Sequence, residues 1–314
     1  MYNQVTIIGF GLIGSSLARI IRRDKLSSAI VCGDLSQEVC DRTLALGIAD
    51  KATTDLAESV KGSDLIVLAV PVGACGPVAQ TIAPALKEGA VITDVGSVKQ
   101  AVVDAVKPYL PDYVDFVPGH PIAGTEHSGP DAGFPELFQG RWAILTPLPD
   151  TPLKAIEKVT RLWEAAGSNI EFMEPRRHDL VLAITSHLPH LIAYTIVGTA
   201  SDLEDHLKAD VIKFSASGFR DFTRIAASDP VMWRDIFLNN QEAVLEIVQR
   251  FTEDLTGLQR AIRWGDGDAL QTMFTRTRAI RRQIIDAKQA DYRYPNQQAG
   301  SVPQPEVRRT ASGS

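Results

Sequence analysis

The stretch VTIIGFGLIGSSLARIIRR, residues 5 to 23, constrains this chain more than any other. A short apolar run, VTIIG, reads as a buried strand. It ends in three glycines, Gly9, Gly11 and Gly14, and passes into a segment with helical spacing of its apolar residues. Strand, G-x-G-x-x-G and helix in that order form a dinucleotide fingerprint. Gly9 makes the tight turn, Gly11 lets a pyrophosphate approach the backbone, and Gly14 permits close packing of helix on strand. Leu12 and Ile13 open the helix whose N-terminus faces the phosphates. Asp34 ends the next strand, 25 residues beyond Gly9. Its carboxylate can accept hydrogen bonds from the adenosine ribose. It repels a 2′-phosphate, and Leu35, Ser36 and Gln37 offer no arginine to hold one, so the reading favours NAD over NADP.

The first half continues in the same alternation. AIVCGD, DLIVLAVP, AVITDVGS and VDFVPGHP read as strands, with helix-like segments between them. Continuous apolar strands joined by helices imply a parallel sheet covered on both faces. WAILTP and SNIEFME are expected to extend that sheet. Beyond Pro175 the strand signal stops, and the residues from 176 to 285 carry apolar positions at spacings of three and four. The expected architecture is α/β: a dinucleotide-binding domain over residues 1–174, an all-helical domain over 175–290, and a polar tail over 291–314 read as disordered.

Composition bounds the function. A net charge of −6 gives no general attraction to nucleic acid or to an anionic membrane. No uninterrupted apolar run reaches the roughly 20 residues that span a bilayer. Cys32, Cys40 and Cys75 show no metal-ligand spacing, and the start MYNQVTIIGFG carries no signal-peptide pattern, so a cytoplasmic protein without a metal is expected.

A nicotinamide cofactor implies hydride transfer, and alcohol oxidation then needs a proton acceptor. Ligands of open α/β sheets bind beyond the carboxyl ends of the strands. His120 follows VDFVP, Ser97 follows AVITDVG, and Val70, Pro71 and Val72 close DLIVLAV at the nicotinamide crevice. His127 lies within the long loop PGHPIAGTEHSGPDAGFPELFQGR. SHLPH puts His187 and His190 on one helical face, with Pro189 marking a kink or a start. As residues alone they read either as satisfied core imidazoles or as a site; no third ligand supports a metal. GFRDFTRIAASDPVMWRD gathers Arg220, Asp221, Arg224 and Trp233, either as a surface ion-pair patch or as a carboxylate clamp beside aromatic rings.

GFGLIGSS, DVGSVK, GHPIAGTEHSG, SHLPH and GFRDFTRIAASDPVMWRDI occur here in that order. With them the chain resembles the bacterial prephenate/arogenate (cyclohexadienyl) dehydrogenases of tyrosine biosynthesis, a branch of aromatic amino acid biosynthesis. The resemblance runs nearly the full length, to about Ala287. It implies a Rossmann-type domain followed by an all-helical domain that forms a homodimer, with a small-molecule substrate in the cleft and NAD as cofactor. The ring C4 alcohol would be oxidised and the ring carboxylate lost as CO2. By the same resemblance His120 takes the hydroxyl proton, Ser97 lies near that hydroxyl and the nicotinamide, and Thr125 positions substrate. His190 stands at the substrate mouth with His187 supporting it, Arg224 grips the ring carboxylate, Asp221 orients the site, and Trp233 is the aromatic neighbour. SHLPH then belongs to a site. Phe219 stands where some relatives carry a histidine tied to tyrosine sensitivity, a contact Phe cannot make. The competing readings are another two-domain hydroxyacid dehydrogenase, disfavoured because residues 176–200 hold no lysine, and an NAD-sensing module without activity.

Overall fold

The computed structural model describes residues 2–125, 127–202 and 217–286. The tail expected over 291–314 lies outside them. Six parallel strands build the main sheet: β1 (Tyr2–Ile8), β2 (Ser27–Gly33), β3 (Lys51–Thr53), β4 (Leu65–Leu68), β5 (Val91–Asp94) and β6 (Asp115–Val117). Their order is β3-β2-β1-β4-β5-β6. β4 and β5 are short and buried at every residue, so neither reads as an alternation of buried and exposed positions. The helices α1 (Leu12–Arg23), α2 (Gln37–Ala45), α3 (Leu56–Ser59), α4 (Cys75–Ile82) and α5 (Gln100–Val106) connect them. Strand order reverses between β1 and β4, which opens a crevice beyond their carboxyl ends.

WAILTP and SNIEFME do not extend this sheet. They become β8 (Trp142–Leu145) and β9 (Asn169–Phe172) of a separate three-stranded sheet, joined by α6 (Leu153–Ala165). The segment VDFVPGHP is correspondingly two strands, β6 and then β7 (Gly119–Pro121). Pro118 is the reason: it has no N–H to continue the ladder with β5. Its carbonyl instead accepts from the Thr146 N–H at 2.9 Å, which hands the chain to β8, and His120 pairs antiparallel with Ile144. His120 therefore sits inside a strand of the second sheet, not at the end of a parallel one.

The helical part begins with α7 (Pro175–Leu182), whose first N–H groups bond the Glu174 carboxylate. A π-helical turn, Ala183–His187, leads into α8 (Leu188–Ser201). Pro189 falls at the start of α8, where a missing N–H is tolerated, so it marks a start. The sequence shows no apolar run of bilayer length, yet these three pieces form one helix, Pro175–Ser201, of 27 residues, long and apolar enough to cross a membrane. His187, Pro189 and His190 break the apolar run without breaking the helix. Then come α9 (Ser217–Thr223), a 3-10 turn Arg224–Ala227, α10 (Pro230–Asn239) and α11 (Gln241–Trp264). Trp233 and Ile236 of α10 join the buried cluster that β4, β5, α4 and α5 form with Val72 and Val98. That shared core packs α10, with Tyr194 of α8 at its edge, against the main sheet. Residues 1–256 make one compact unit; a second, from Gly257, holds the rest of α11 and α12 (Gly267–Asp286).

Candidate active site

The crevice between β1 and β4 is shaped for a dinucleotide. Gly9 adopts φ +92°, and a Cβ there would stand 2.4 Å from the Ala69 carbonyl oxygen. A Cβ on Gly14 would stand 2.1 Å from the Gly9 oxygen, so α1 lies directly on the turn. Gly11 differs: nothing lies within 4 Å of where its Cβ would be, which leaves room for a phosphate. No side chain caps α1, so its first N–H groups are offered outward. Leu12 is buried beneath this turn and Ile13 half-buried, while Val70 and Pro71 form the facing rim. Asp34 is half-buried at the end of β2, where Oδ2 accepts the Phe10 N–H and Oδ1 the Ser36 N–H, each at 3.0 Å. The residues present fit a dinucleotide.

Beyond β5 a buried ion pair fixes the next part. Asp94 and Lys99 are both fully buried and paired. Asp94 also accepts from the Gly96 and Gly119 N–H groups, and Lys99 donates to the Gly119 carbonyl at 2.7 Å. Gly119 is thus held on both its N–H and its C=O, immediately before His120. Ser97, in the turn between the two charges, is half-buried.

His120 is 9% exposed, and its Nδ1 lies 2.9 Å from His178 Nε2. His178 Nδ1 lies 2.8 Å from Asp179 Oδ1. The Asp179 carboxylate also receives the backbone N–H groups of Lys99 and Gln100, at 2.7 and 2.9 Å. A carboxylate that accepts throughout makes His178 Nδ1 the donor, so His178 Nε2 accepts from His120 Nδ1–H. The His120 Nε2 then carries the lone pair. Burial, with the charges of His178, Lys99 and His187 opposing protonation, holds His120 well below the ordinary histidine value. Burial also lowers His178, although Asp179 works the other way.

His187 ends the π-turn, fully buried, with Nδ1 3.1 Å from Asn240 Nδ2. Burial lowers its pKa to about 4. His190, half-buried, donates from Nδ1 to the Ser186 carbonyl at 2.9 Å and stacks on Trp233 at 3.6 Å between ring centroids. Burial lowers its pKa too, against the Ser186 bond and with the help of the nearby Arg224 charge. Arg224 opens the 3-10 turn, which the Tyr194 hydroxyl pins to α8 through the Ser228 carbonyl at 2.8 Å.

The structure therefore brings His120, His187, His190, Trp233 and Arg224 into one neighbourhood. Thr125 is half-buried in the loop after β7, where its hydroxyl accepts the His127 N–H, and His127 itself is exposed. Asp221 is exposed on α9 and Phe219 half-buried there. His178, Asp179, Asn240, Asp94 and Lys99 were not foreseen as site residues. The signal for Lys99 was present: a lysine inside the apolar run VGSVKQAVV needs a buried partner.

Matches with a known family and with known proteins bear on this arrangement. Residues 17–172 match the prephenate dehydrogenase nucleotide-binding domain, and residues 174–276 the prephenate dehydrogenase dimerization domain. The chain belongs to the prephenate dehydrogenase family. Within that family it is 44% identical over 281 residues to the cyclohexadienyl dehydrogenase of Zymomonas mobilis, covering 90% of this chain and 96% of that one. It is 33% identical over 306 residues to the prephenate dehydrogenase of Bacillus subtilis, covering 96% and 79%. A solved relative, the prephenate dehydrogenase of Aquifex aeolicus in complex with hydroxyphenyl propionate and NAD+, superposes with a TM-score of 0.83 at 36% identity, over 90% of this chain and 98% of that one.

In this prephenate dehydrogenase family member the buried imidazoles set a pH dependence of stability. His187 titrates at about 4 when folded and at the ordinary 6.5 when unfolded, so below 6.5 the unfolded chain binds protons first. The stability tied to its neutral form is complete above 6.5 and lost as pH falls toward 4, about 3 kcal/mol in all. Thermal melts from pH 7 to 4 should show Tm falling through that window, and less steeply in His187→Asn.

Proposed function

We propose that this enzyme catalyses the NAD-dependent oxidative decarboxylation of prephenate, arogenate or both, giving 4-hydroxyphenylpyruvate or tyrosine. The observation that carries the reading is the chain Asp179–His178–His120, which leaves His120 Nε2 as a neutral lone pair beside the cofactor crevice. Bound NAD supplies the hydride acceptor. His120 Nε2 takes the C4 hydroxyl proton as hydride leaves that carbon. It returns the proton to the same oxygen as the ring carboxylate departs and its bonding electrons aromatise the ring. The low basicity of buried His120 suits this role, since it must be unprotonated at the start and release its proton at the end. Ser97 orients the hydroxyl, Thr125 and His187 shape the cleft, and the His190–Trp233 stack lines its mouth. Arg224 binds the ring carboxylate, with Asp221 orienting the segment that carries it.

Gly9, Gly11, Leu12, Ile13 and Gly14 hold the pyrophosphate, Val70 and Pro71 border the nicotinamide, and Asp34 binds the ribose. Asp34→Ser removes a charge that would face a 2′-phosphate. The variant should bind NAD about tenfold more weakly and NADP more tightly than the parent, read by titration with each cofactor. We further propose a homodimer. Ile184, Val197, Leu245 and Leu255 lie exposed in a single chain, and such apolar faces call for a covering partner. Free, buried cysteines accord with a reducing cytoplasm.

The test is the appearance of reduced nicotinamide with prephenate and with arogenate in parallel. Turnover of arogenate alone makes it an arogenate dehydrogenase, and comparable rates on both make it a cyclohexadienyl dehydrogenase. Turnover of neither by enzyme that still binds NAD would sink the reading.

A further inference from the structure

His120, His178 and His187 interact closely enough for their charges to oppose one another, and any of the three imidazoles is a chemically competent proton acceptor. What distinguishes them is where their lone pairs point. The His178 lone pair, on Nε2, already accepts from His120. That of His187 is fixed by Asn240, a buried residue at the junction of α10 and α11.

Asn240 Nδ2 lies 2.9 Å from the backbone carbonyl of Asp179 and 3.1 Å from His187 Nδ1. A carbonyl can only accept, so the atom facing Asp179 is the NH2 group, and the amide orientation follows from the chemistry of its partner. The second hydrogen of that NH2 then meets His187 Nδ1, which has to be the unprotonated nitrogen. His187 carries its proton on Nε2, which is buried with no hydrogen-bond partner among the described residues.

We propose that Asn240 is a positioning residue for the proton step: by filling the Nδ1 lone pair of His187, it leaves His120 Nε2 as the open acceptor among these three imidazoles. It also holds the backbone of Asp179, the residue that orients His178. The inference deepens the dehydrogenase reading and rests on it for its kinetic part. The groups acting on His187 are Asp179 and His178 from α7 and His190 from α8. Asn240, from the α10–α11 junction, is uncharged, and a carboxylate in its place would change that balance. It would accept from Nδ1–H and stabilise the imidazolium, placing a positive charge beside His120.

Nitrogen-15 spectra of histidine-labelled enzyme, assigned with His187→Gln, read the tautomer directly. The wild type should show His187 neutral at pH 7 with the proton on Nε2, and a proton on Nδ1 would overturn the inference without any kinetic data. In Asn240→Asp the spectrum should show His187 protonated on both nitrogens. Lower His120 basicity there should slow the proton step by about three- to tenfold on the neutral-pH plateau and move the acid limb of kcat to lower pH, with the KM for NAD unchanged. His187→Gln has no imidazole to protonate, so adding Asn240→Asp to it should lose the charge-dependent part of the effect and keep only the smaller loss that comes from the freed Asp179 carbonyl. Equal losses in both backgrounds would mean that Asn240 acts only on the fold, and would overturn the proposal. Should the wild type oxidise neither cyclohexadiene, the dehydrogenase reading falls, while the tautomer spectrum still decides the role of Asn240.

Discussion

His120→Asn should lower kcat by about a thousandfold while leaving NAD affinity and the melting temperature close to the parent's. The asparagine amide can still donate toward His178 Nε2 from near the place of Nδ1, so the chain from Asp179 keeps its terminal partner. The atom that is lost is Nε2, the lone pair that the proposed mechanism sets against the substrate hydroxyl. Single-turnover measurement of reduced nicotinamide separates the chemical step from product release. The pH profile supplies a second check. His120 is held well below 6.5 by burial and by neighbouring positive charge, so its neutral form persists through neutral pH. The parent's kcat should stay flat from neutral pH into mild acid and fall only below the ordinary histidine value, and the residual rate of His120→Asn should lack that fall. An Asn variant with most of its kcat would remove His120 from the proton step.

The central strands of the main sheet were legible in the sequence because β4 and β5 are buried at every residue, and LIVL or VITD then needs no periodicity to be recognised; the edge strand KAT, three residues long and not buried, was not read. The fingerprint was legible because each glycine answers a steric demand that the structure repeats, at 2.4 Å for Gly9 and 2.1 Å for Gly14. The second sheet was not legible. Its first strand is GHP, three residues whose pairing is decided by Pro118 and Thr146, 28 positions apart. Within the site, SHLPH stood out because two imidazoles interrupt an aliphatic helix. RRHDL did not, since it reads as an ordinary charged helix start. Only the fold shows Asp179 meeting the N–H groups of Lys99 and Gln100, about 80 positions earlier in the chain. The candidate histidines of GHP and SHLPH could be picked out one by one, but the groups that set their protonation states are defined by pairings between distant segments.

The second large effect should come from Arg224. Arg224 is an exposed residue in the chain alone, on a turn held to α8 by Tyr194, and its charge is felt by His190. An exposed cation contributes little by itself, because water screens it. A bound carboxylate changes this by displacing that water, so that two N–H groups of the fork can meet two oxygens in a drier setting. Arg224→Met should therefore lower kcat/KM by about two to three orders of magnitude, mostly as a higher KM, because the substrate carboxylate would be left without its partner. Arg224→Lys keeps the charge without the planar fork and should recover part of the loss, to within about tenfold of the parent. Ionic strength distinguishes a direct contact from a structural one: KM of the parent should rise with salt, and that slope should flatten in Arg224→Met while the melting temperature holds. A salt dependence unchanged in the variant would assign the carboxylate to another cation. In the proposed reaction the ring carboxylate is also the leaving group, so its anchor has to let go of neutral CO2, and a cation on an exposed residue suits that exchange.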